Sequence, residues 1–236
     1  MNLDLITLTN PKSPVAEAYR TLRTNIQFSN IDGNLQTICV TSSGLGEGKS
    51  TTISNLAETF AQAGNRVVII DCDLRKPRLH KVFKLTNTMG MTNLLSGQVS
   101  IEDVTHITGS DLTVITSGPI PPNPSELLGS NTMKKLLDDF EKRYDIILID
   151  APPVGVVTDA AILSTIVDGT ILVVASGKTE IEGAKRAKQL LENVGARILG
   201  VTMTMIPVSK KGYYGYQYYS YYDGSETATP RKKARR

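Results

Sequence analysis

The sequence predicts an α/β fold, a doubly wound, mostly parallel sheet with helices on both faces. Three observations carry that expectation. Apolar runs rich in Val and Ile recur along the chain with little polar alternation, as strands covered on both faces require. Segments of helical periodicity separate those runs. A glycine-rich stretch joins the first run to the helix after it, the junction at which such folds hold phosphate.

The elements follow in order. Ser13 and Pro14 open a helix that reaches about residue 29, because a hydroxyl cap followed by proline is a helix-start signal. Val15, Ala18, Tyr19, Leu22 and Ile26 then repeat at helical spacing. Strands are expected over residues 36–41, 66–71, 145–150, 169–175 and 197–205, with a weaker sixth over 112–116. Helices are expected over 50–63, 132–143, 158–166 and 180–194. The run Gly118-Pro119-Ile120-Pro121-Pro122-Asn123-Pro124 holds too much proline for regular structure and reads as a rigid surface loop. No internal repeat is present. The organisation expected is an N-terminal helical segment over residues 1–33, a phosphate-binding domain over 34–208 and a flexible, disordered tail over 209–236.

Composition sets the outer bounds. A chain of 236 residues, 40% hydrophobic and 21% charged, suffices for one well-buried α/β domain. The formal charge of +3 is uneven. From Ile206 onward seven basic residues (Lys210, Lys211, Arg231, Lys232, Lys233, Arg235, Arg236) face only Asp223 and Glu226, a local +5 that leaves the rest near −2. Cys39 and Cys72 lie inside apolar runs and are expected as buried thiols rather than a disulfide. No run approaches the ~20 apolar residues that span a bilayer, and the start lacks a signal-peptide pattern, so a cytoplasmic location is expected.

The stretch Ser42-Ser43-Gly44-Leu45-Gly46-Glu47-Gly48-Lys49-Ser50-Thr51 follows an expected strand and opens an expected helix, the context a P-loop requires. Residues 43–51 are the candidate nucleotide-binding set. Glycines let the backbone N–H groups converge on phosphate oxygens. Lys49 is placed to reach the outer phosphates and Ser50 to put its hydroxyl on Mg²⁺. Ser43 stands where the strict pattern has glycine. Two acidic strand ends complete the set: Asp71 and Asp73 at i and i+2, and Asp150 before Ala151-Pro152-Pro153. In an open parallel sheet ligands sit beyond the carboxyl ends of the strands, so the three carboxylates are expected to converge near the phosphates. Arg75, Lys76 and Arg78 follow the second acidic pair and are candidates for holding phosphate or a neighbouring subunit.

Tyrosine is distributed oddly. Seven of nine, Tyr213, Tyr214, Tyr216, Tyr218, Tyr219, Tyr221 and Tyr222, crowd the ten residues 213–222 near the end, interrupted by Gly215, Gln217 and Ser220. Consecutive strand residues face opposite sides and helical neighbours diverge, so no core uses aromatics in this way. The run reads as an exposed tail rich in phenolic hydroxyls.

These motifs together resemble the bacterial tyrosine kinases (BY-kinases), in the stand-alone form that governs capsule or exopolysaccharide synthesis. The resemblance covers nearly the whole chain: the P-loop, the second Walker-like motif Asp71-Cys72-Asp73-Leu74-Arg75-Lys76-Pro77, the Walker B Asp150, residues 118–128 and the tyrosine cluster. Glu17, Arg20 and Arg23 are similar to the family's E-x-x-R-x-x-R oligomerisation motif. Spacing by three also puts them in one stripe on a helix, where an acid and two guanidiniums can pair within the chain or across subunits.

What the resemblance implies is an ATP- and Mg²⁺-dependent kinase that phosphorylates its own tyrosine cluster between subunits of a ring-like, head-to-tail oligomer. Lys49, Asp71 and Asp73 are then catalytic, with Asp71 the candidate base, and Ser50, Asp73 and Asp150 hold the metal. Spacing alone does not divide the roles of Asp71 and Asp73. The resemblance further implies a membrane-spanning activator of the polysaccharide co-polymerase type, through which the chain associates with the inner face of the membrane, and a cognate tyrosine phosphatase. Ten extended residues span up to about 33–36 Å, so the cluster can reach a neighbouring site.

Two other readings fit less of the chain. Positioning ATPases of the cell-division and partitioning type carry an extra lysine where this chain has Gly44, and have no use for a tyrosine run. A nucleic-acid-binding tail would combine aromatic stacking with basic residues but leaves the three aspartates without a purpose; no nucleic acid is expected. Related ATPases carry an adenine-contacting asparagine where this chain has Thr204, and adenine contacts are expected around residues 205–208.

Overall fold

A computed structural model describes residues 5–29 and 35–207. The tyrosine cluster lies outside the described residues. The short helix α1 (Ile6–Thr9) leads into α2 (Pro14–Phe28), whose first turn is fixed as the sequence suggests: Ser13 Oγ accepts the Ala16 N–H at 3.1 Å and Pro14 takes the first helical position.

Among the described residues seven strands form one sheet: β1 (Thr37–Ser42), β2 (Val67–Asp71), β3 (Thr105–Ile107), β4 (Thr113–Ile115), β5 (Ile146–Asp150), β6 (Gly169–Ala175) and β7 (Ile198–Thr204). Their order is β3-β4-β2-β5-β1-β6-β7, and every pairing is parallel except β3 with β4. The central strands are buried throughout, which explains their unbroken apolar sequence.

The helices divide between the two faces by the two-residue alternation of the strands. Ile38, Val40, Val67, Ile69, Leu148, Ile171 and Val173 point to one side and pack under α2, α3 (Lys49–Gln62) and α4 (Leu79–Val82). Cys39, Val68, Ile70, Ile147, Ile149, Leu172 and Val174 point to the other. There they meet α5 (Met91–Leu95), α6 (Ile101–Val104), α7 (Pro124–Leu128), α8 (Asn131–Glu141), α9 (Asp159–Ser164) and α10 (Ile181–Glu192). Phe60 and Phe140 are fully buried on opposite faces and anchor the two layers.

Two expectations need correction. Most of the apolar runs read as strands covered on both faces, but β7 is an outer strand of the described sheet and leaves Val201 59% and Met203 56% exposed. The antiparallel β3 and the short helices α1, α4, α5, α6 and α7 are absent from the expected elements. Residues 118–123 do form an irregular connection, though Gly118 and Pro121 are buried beneath it and Pro124 already belongs to α7. Cys39 and Cys72 are free, buried thiols, as expected. Among the described residues no helix is long and apolar enough to cross a membrane.

Candidate active site

The sheet order puts β2, β5 and β1 side by side, so their carboxyl ends open onto one place. Asp71 and Asp150 are register partners across β2 and β5, and Val40 of β1 stands opposite Asp150. Residues 43–48 leave the end of β1 and close on α3. Gly48, the residue before the helix, has φ +88°, a left-handed conformation that favours glycine.

This loop is held from inside by the buried Glu47. Ser43 Oγ donates to its carboxylate at 2.7 Å and 2.9 Å, and Gly44 N–H donates at 2.9 Å. Thr179 Oγ1, from the connection after β6, donates to the same carboxylate. Thr204 Oγ1, at the end of β7, donates to the Glu47 carbonyl at 2.6 Å. Lys178 Nζ donates to the Leu45 and Gly46 carbonyls, each at 2.8 Å. Ser43 at the glycine position is thereby explained: its hydroxyl is used inside the loop. The Thr204 hydroxyl is likewise spent on the loop. Met205 follows in a left-handed conformation, φ +57°, and lines the cavity, while residue 208 lies outside the described residues.

The loop forms one wall of a cavity of about 480 Å³. Gly46, Gly48, Lys49, Ser50 and Thr51 border it on one side, and Asp73, Lys76, Arg78 and Pro153 on the other. Lys49 lies on its floor. Its Nζ is 2.8 Å from Asp150 Oδ1, 3.4 Å from Asp73 Oδ2 and 3.5 Å from Ser50 Oγ. Burial alone would push the Lys49 ammonium down in pKa, but the attraction of Asp150 and Asp73 outweighs it and holds the group above its ordinary value.

The three aspartates converge as the sequence suggests, with unequal access. Asp73 borders the cavity and its Oδ1 accepts the Lys76 N–H at 3.0 Å. Asp71 sits behind it, fully buried. Its Oδ1 accepts the Asp73 N–H at 3.2 Å, and its Oδ2 accepts the Arg78 and Leu79 N–H groups at 3.0 Å and 2.9 Å. Burial, then the nearby Asp150, raises the Asp71 carboxyl to about 8. Asp150 is also raised, by burial, against the opposing pull of Lys49.

A divalent cation fits this site. Asp150 Oδ2 is buried with no hydrogen-bond partner among the described residues, an acceptor left for something positive. No cluster of three or more His, Cys, Asp or Glu side chains among the described residues is arranged to hold a metal unaided. Mg²⁺ at phosphate sites needs no such cage, because it keeps waters and phosphate oxygens as ligands beside one or two carboxylates.

The stripe on α2 is used within the chain. Arg20 Nη1 pairs with Glu17 Oε2 at 2.9 Å and its Nη2 donates to the Pro11 carbonyl. Arg23 Nη1 donates to the Thr59 carbonyl of α3, and its buried Nε has no partner. Sequence reasoning missed Glu47 as a structural acid, Thr179, Lys178 and the ion pair of Arg75 with Asp159. Apart from the local bonds of Ser43 and Gly44 to Glu47, these contacts join segments 84 to 133 residues apart, for which local pattern gives no signal.

Known proteins resemble this chain in sequence and in fold. The family model described as "ParA: NUBPL iron-transfer P-loop NTPase" matches residues 34–229. Tyrosine-protein kinase YwqD of Bacillus subtilis (strain 168) is 46% identical over 217 residues, 92% of each chain. The crystal structure of the chimerical protein CapA2B2 is 42% identical, with a TM-score of 0.84 over 86% of this chain and 90% of that one. The kinase domain of Escherichia coli tyrosine kinase ETK is 32% identical, also at a TM-score of 0.84, over 90% of this chain and 84% of that one. Through its phosphate-binding domain the chain belongs to the ParA-type P-loop family, and within that family it is a bacterial protein-tyrosine kinase.

Proposed function

We propose that the chain uses ATP and Mg²⁺ to phosphorylate its own C-terminal tyrosines, each subunit acting on a neighbour, and that this controls capsule or exopolysaccharide synthesis. The observation that carries the reading is the meeting of Lys49, Asp73 and Asp150 on the floor of a cavity walled by the phosphate loop.

The loop's backbone and the start of α3 favour a triphosphate there, and Lys49 exchanges its carboxylate partners for the outer phosphates. Ser50, Asp73 and Asp150 are the residues that would hold Mg²⁺, which offsets charge on the transferring phosphoryl group. The acceptor phenol must lose its proton, and its ordinary pKa of about 10 calls for a base. The Asp71–Asp73 pair supplies it: Asp73 meets the cavity, and Asp71, held by three N–H groups, fixes it from behind.

Residues 1–33 with the Glu17, Arg20 and Arg23 stripe form the subunit contact in this proposal, and residues 209–236 form the substrate tail. The seven tyrosines named above are its acceptors. An activator with a membrane anchor accounts for how a chain of this kind serves export. The outer strand β7 exposes apolar side chains beside a second cavity of about 410 Å³, lined by Val15, Tyr19, Leu22, Met203 and Ile206, and supports such docking. A cognate phosphatase resets the tail.

Intact-mass measurement after incubation with ATP, Mg²⁺ and a membrane extract tests the reading. The wild-type chain should gain up to seven phosphates, and Lys49→Met none. Lys49→Met mixed with a chain whose seven tail tyrosines are phenylalanine should gain mass on the Lys49→Met partner. Silence from that mixture would force transfer within one subunit, and no gain by the wild type would end the proposal.

A further inference from the structure

The mouth of the cavity is basic on one side. Lys76 and Arg78 both line it, and both are exposed. Neither forms an ion pair among the described residues, whereas Arg75 beside them is taken up by Asp159. Their roots are fixed from beneath, since Asp73 accepts the Lys76 N–H and Asp71 accepts the Arg78 N–H, each at 3.0 Å. Pro77 between them restricts the backbone further. The carboxylates of the site thus position two cations whose charged ends are uncommitted.

Two unpaired cations at a cavity mouth suit an anion. Nucleotide phosphates are already served by the loop over residues 43–48, the start of α3 and Lys49. The other partner of the reaction is the tyrosine peptide. An unmodified stretch from Gly212 to Tyr222 holds no acid. After the first transfer it holds a phosphate of about −1.5 to −2 charges. In an extended peptide, residues two apart share a side at about 7 Å. Tyr214 and Tyr216, Tyr216 and Tyr218, and Tyr219 and Tyr221 have that spacing. A phosphate beside an entering tyrosine would be repelled by the carboxylates below unless cations at the rim receive it.

We propose that Lys76 and Arg78 form a phosphotyrosine-binding rim, so that a tyrosine peptide already phosphorylated near its acceptor residue is the preferred substrate and modification of the tail primes itself. This rests on the kinase reading above. It adds a binding step and leaves the transfer unchanged: the γ-phosphoryl group passes to the phenol oxygen, ADP leaves, and the phenol proton goes to the aspartate pair.

The test uses the full chain with its seven tail tyrosines replaced by phenylalanine, which removes the internal competitor. Two peptides of the sequence 212–224 are compared, one unmodified and one phosphorylated on Tyr216. At saturating ATP the primed peptide should show a KM about tenfold lower, the scale of one or two charge-assisted hydrogen bonds. That ratio should shrink in high salt. In Lys76→Ala/Arg78→Ala it should fall to about one. Equal KM values in the parent chain would overturn the proposal. A ratio that persists in the double variant while KM for ATP rises would assign the cations to the nucleotide instead. Fluorescence anisotropy of the labelled peptides reads the rim without turnover, so equal affinities there sink it even if the chain proves inactive.

Discussion

Arg75 grips Asp159 through two parallel hydrogen bonds, Nε to Oδ2 at 2.8 Å and Nη2 to Oδ1 at 2.9 Å. The guanidinium follows the Asp71–Asp73 pair, and the carboxylate opens α9 beyond Asp150, so the pair ties together the two loops that carry the site's acids. Asp159 is fully buried while the Arg75 side chain is 38% exposed. Arg75→Ala therefore strands a buried carboxylate and should lower stability by about 1–3 kcal/mol. Arg75→Lys should recover little of it, because an ammonium lacks the planar fork. Urea unfolding checks both; a wild-type midpoint in Arg75→Ala would show the pair to be incidental.

Gly155 lets the loop after β5 approach the phosphate loop. A Cβ there would lie 2.2 Å from the Ser43 carbonyl oxygen, a backbone atom that cannot swing aside. The adjacent Val154 N–H donates to the Ser42 carbonyl at 2.9 Å, so the clash acts directly on the start of the phosphate loop. Gly155→Ala should weaken nucleotide binding at least tenfold, about 1.4 kcal/mol, in titrations with a fluorescent ATP analogue. Unaltered affinity would mean that the loop has slack which this packing does not show.

Cys39 and Cys72 are fully buried. Burial pushes the Cys39 thiol up to about 12, and Cys72 is also raised well above its ordinary value. At pH 8 both stay protonated and out of reach. A thiol reagent should label neither at a rate faster than global unfolding, and both should react together in urea. Rapid labelling of one cysteine in the native chain would contradict its burial.

Asp71 gives the nucleotide-free protein a pH signature. Its carboxyl is raised from 3.8 to about 8, so its favourable contribution is complete below pH 3.8 and is lost as pH climbs through about 8. The urea midpoint of the wild type should fall between pH 6 and pH 9, and Asp71→Asn should fall less. Identical slopes for the two proteins would remove Asp71 from the account.

What the sequence revealed and what it hid have physical causes. β2 and β5 are apolar runs ending in aspartate, so both the strands and the placement of Asp71 and Asp150 could be read locally. β3 is three residues, Thr105-His106-Ile107, without alternation or bulk, and its pairing with β4 depends on partners six to ten residues on. In β7 the stretch Val201-Thr202-Met203-Thr204 alternates as a half-exposed strand does, yet it is the apolar Val201 and Met203 that lie open, so the pattern misreports which side is covered. Asp71 and Asp73 share a motif, yet only the fold shows that one lines the cavity and the other braces it. The Glu47 carboxylate lies in the middle of a recognisable phosphate loop, and its tie to Thr179 spans 132 residues.

The sheet order also bears on biosynthesis. β5 inserts between β1 and β2, although the ribosome delivers it some hundred residues after the first of them. A nascent chain that has released Lys49, Asp71 and Asp73 still lacks the strand that sets their spacing and the acid that neutralises the lysine. Affinity for nucleotide should therefore arrive late in translation and abruptly, and a half-made chain has no means of consuming one.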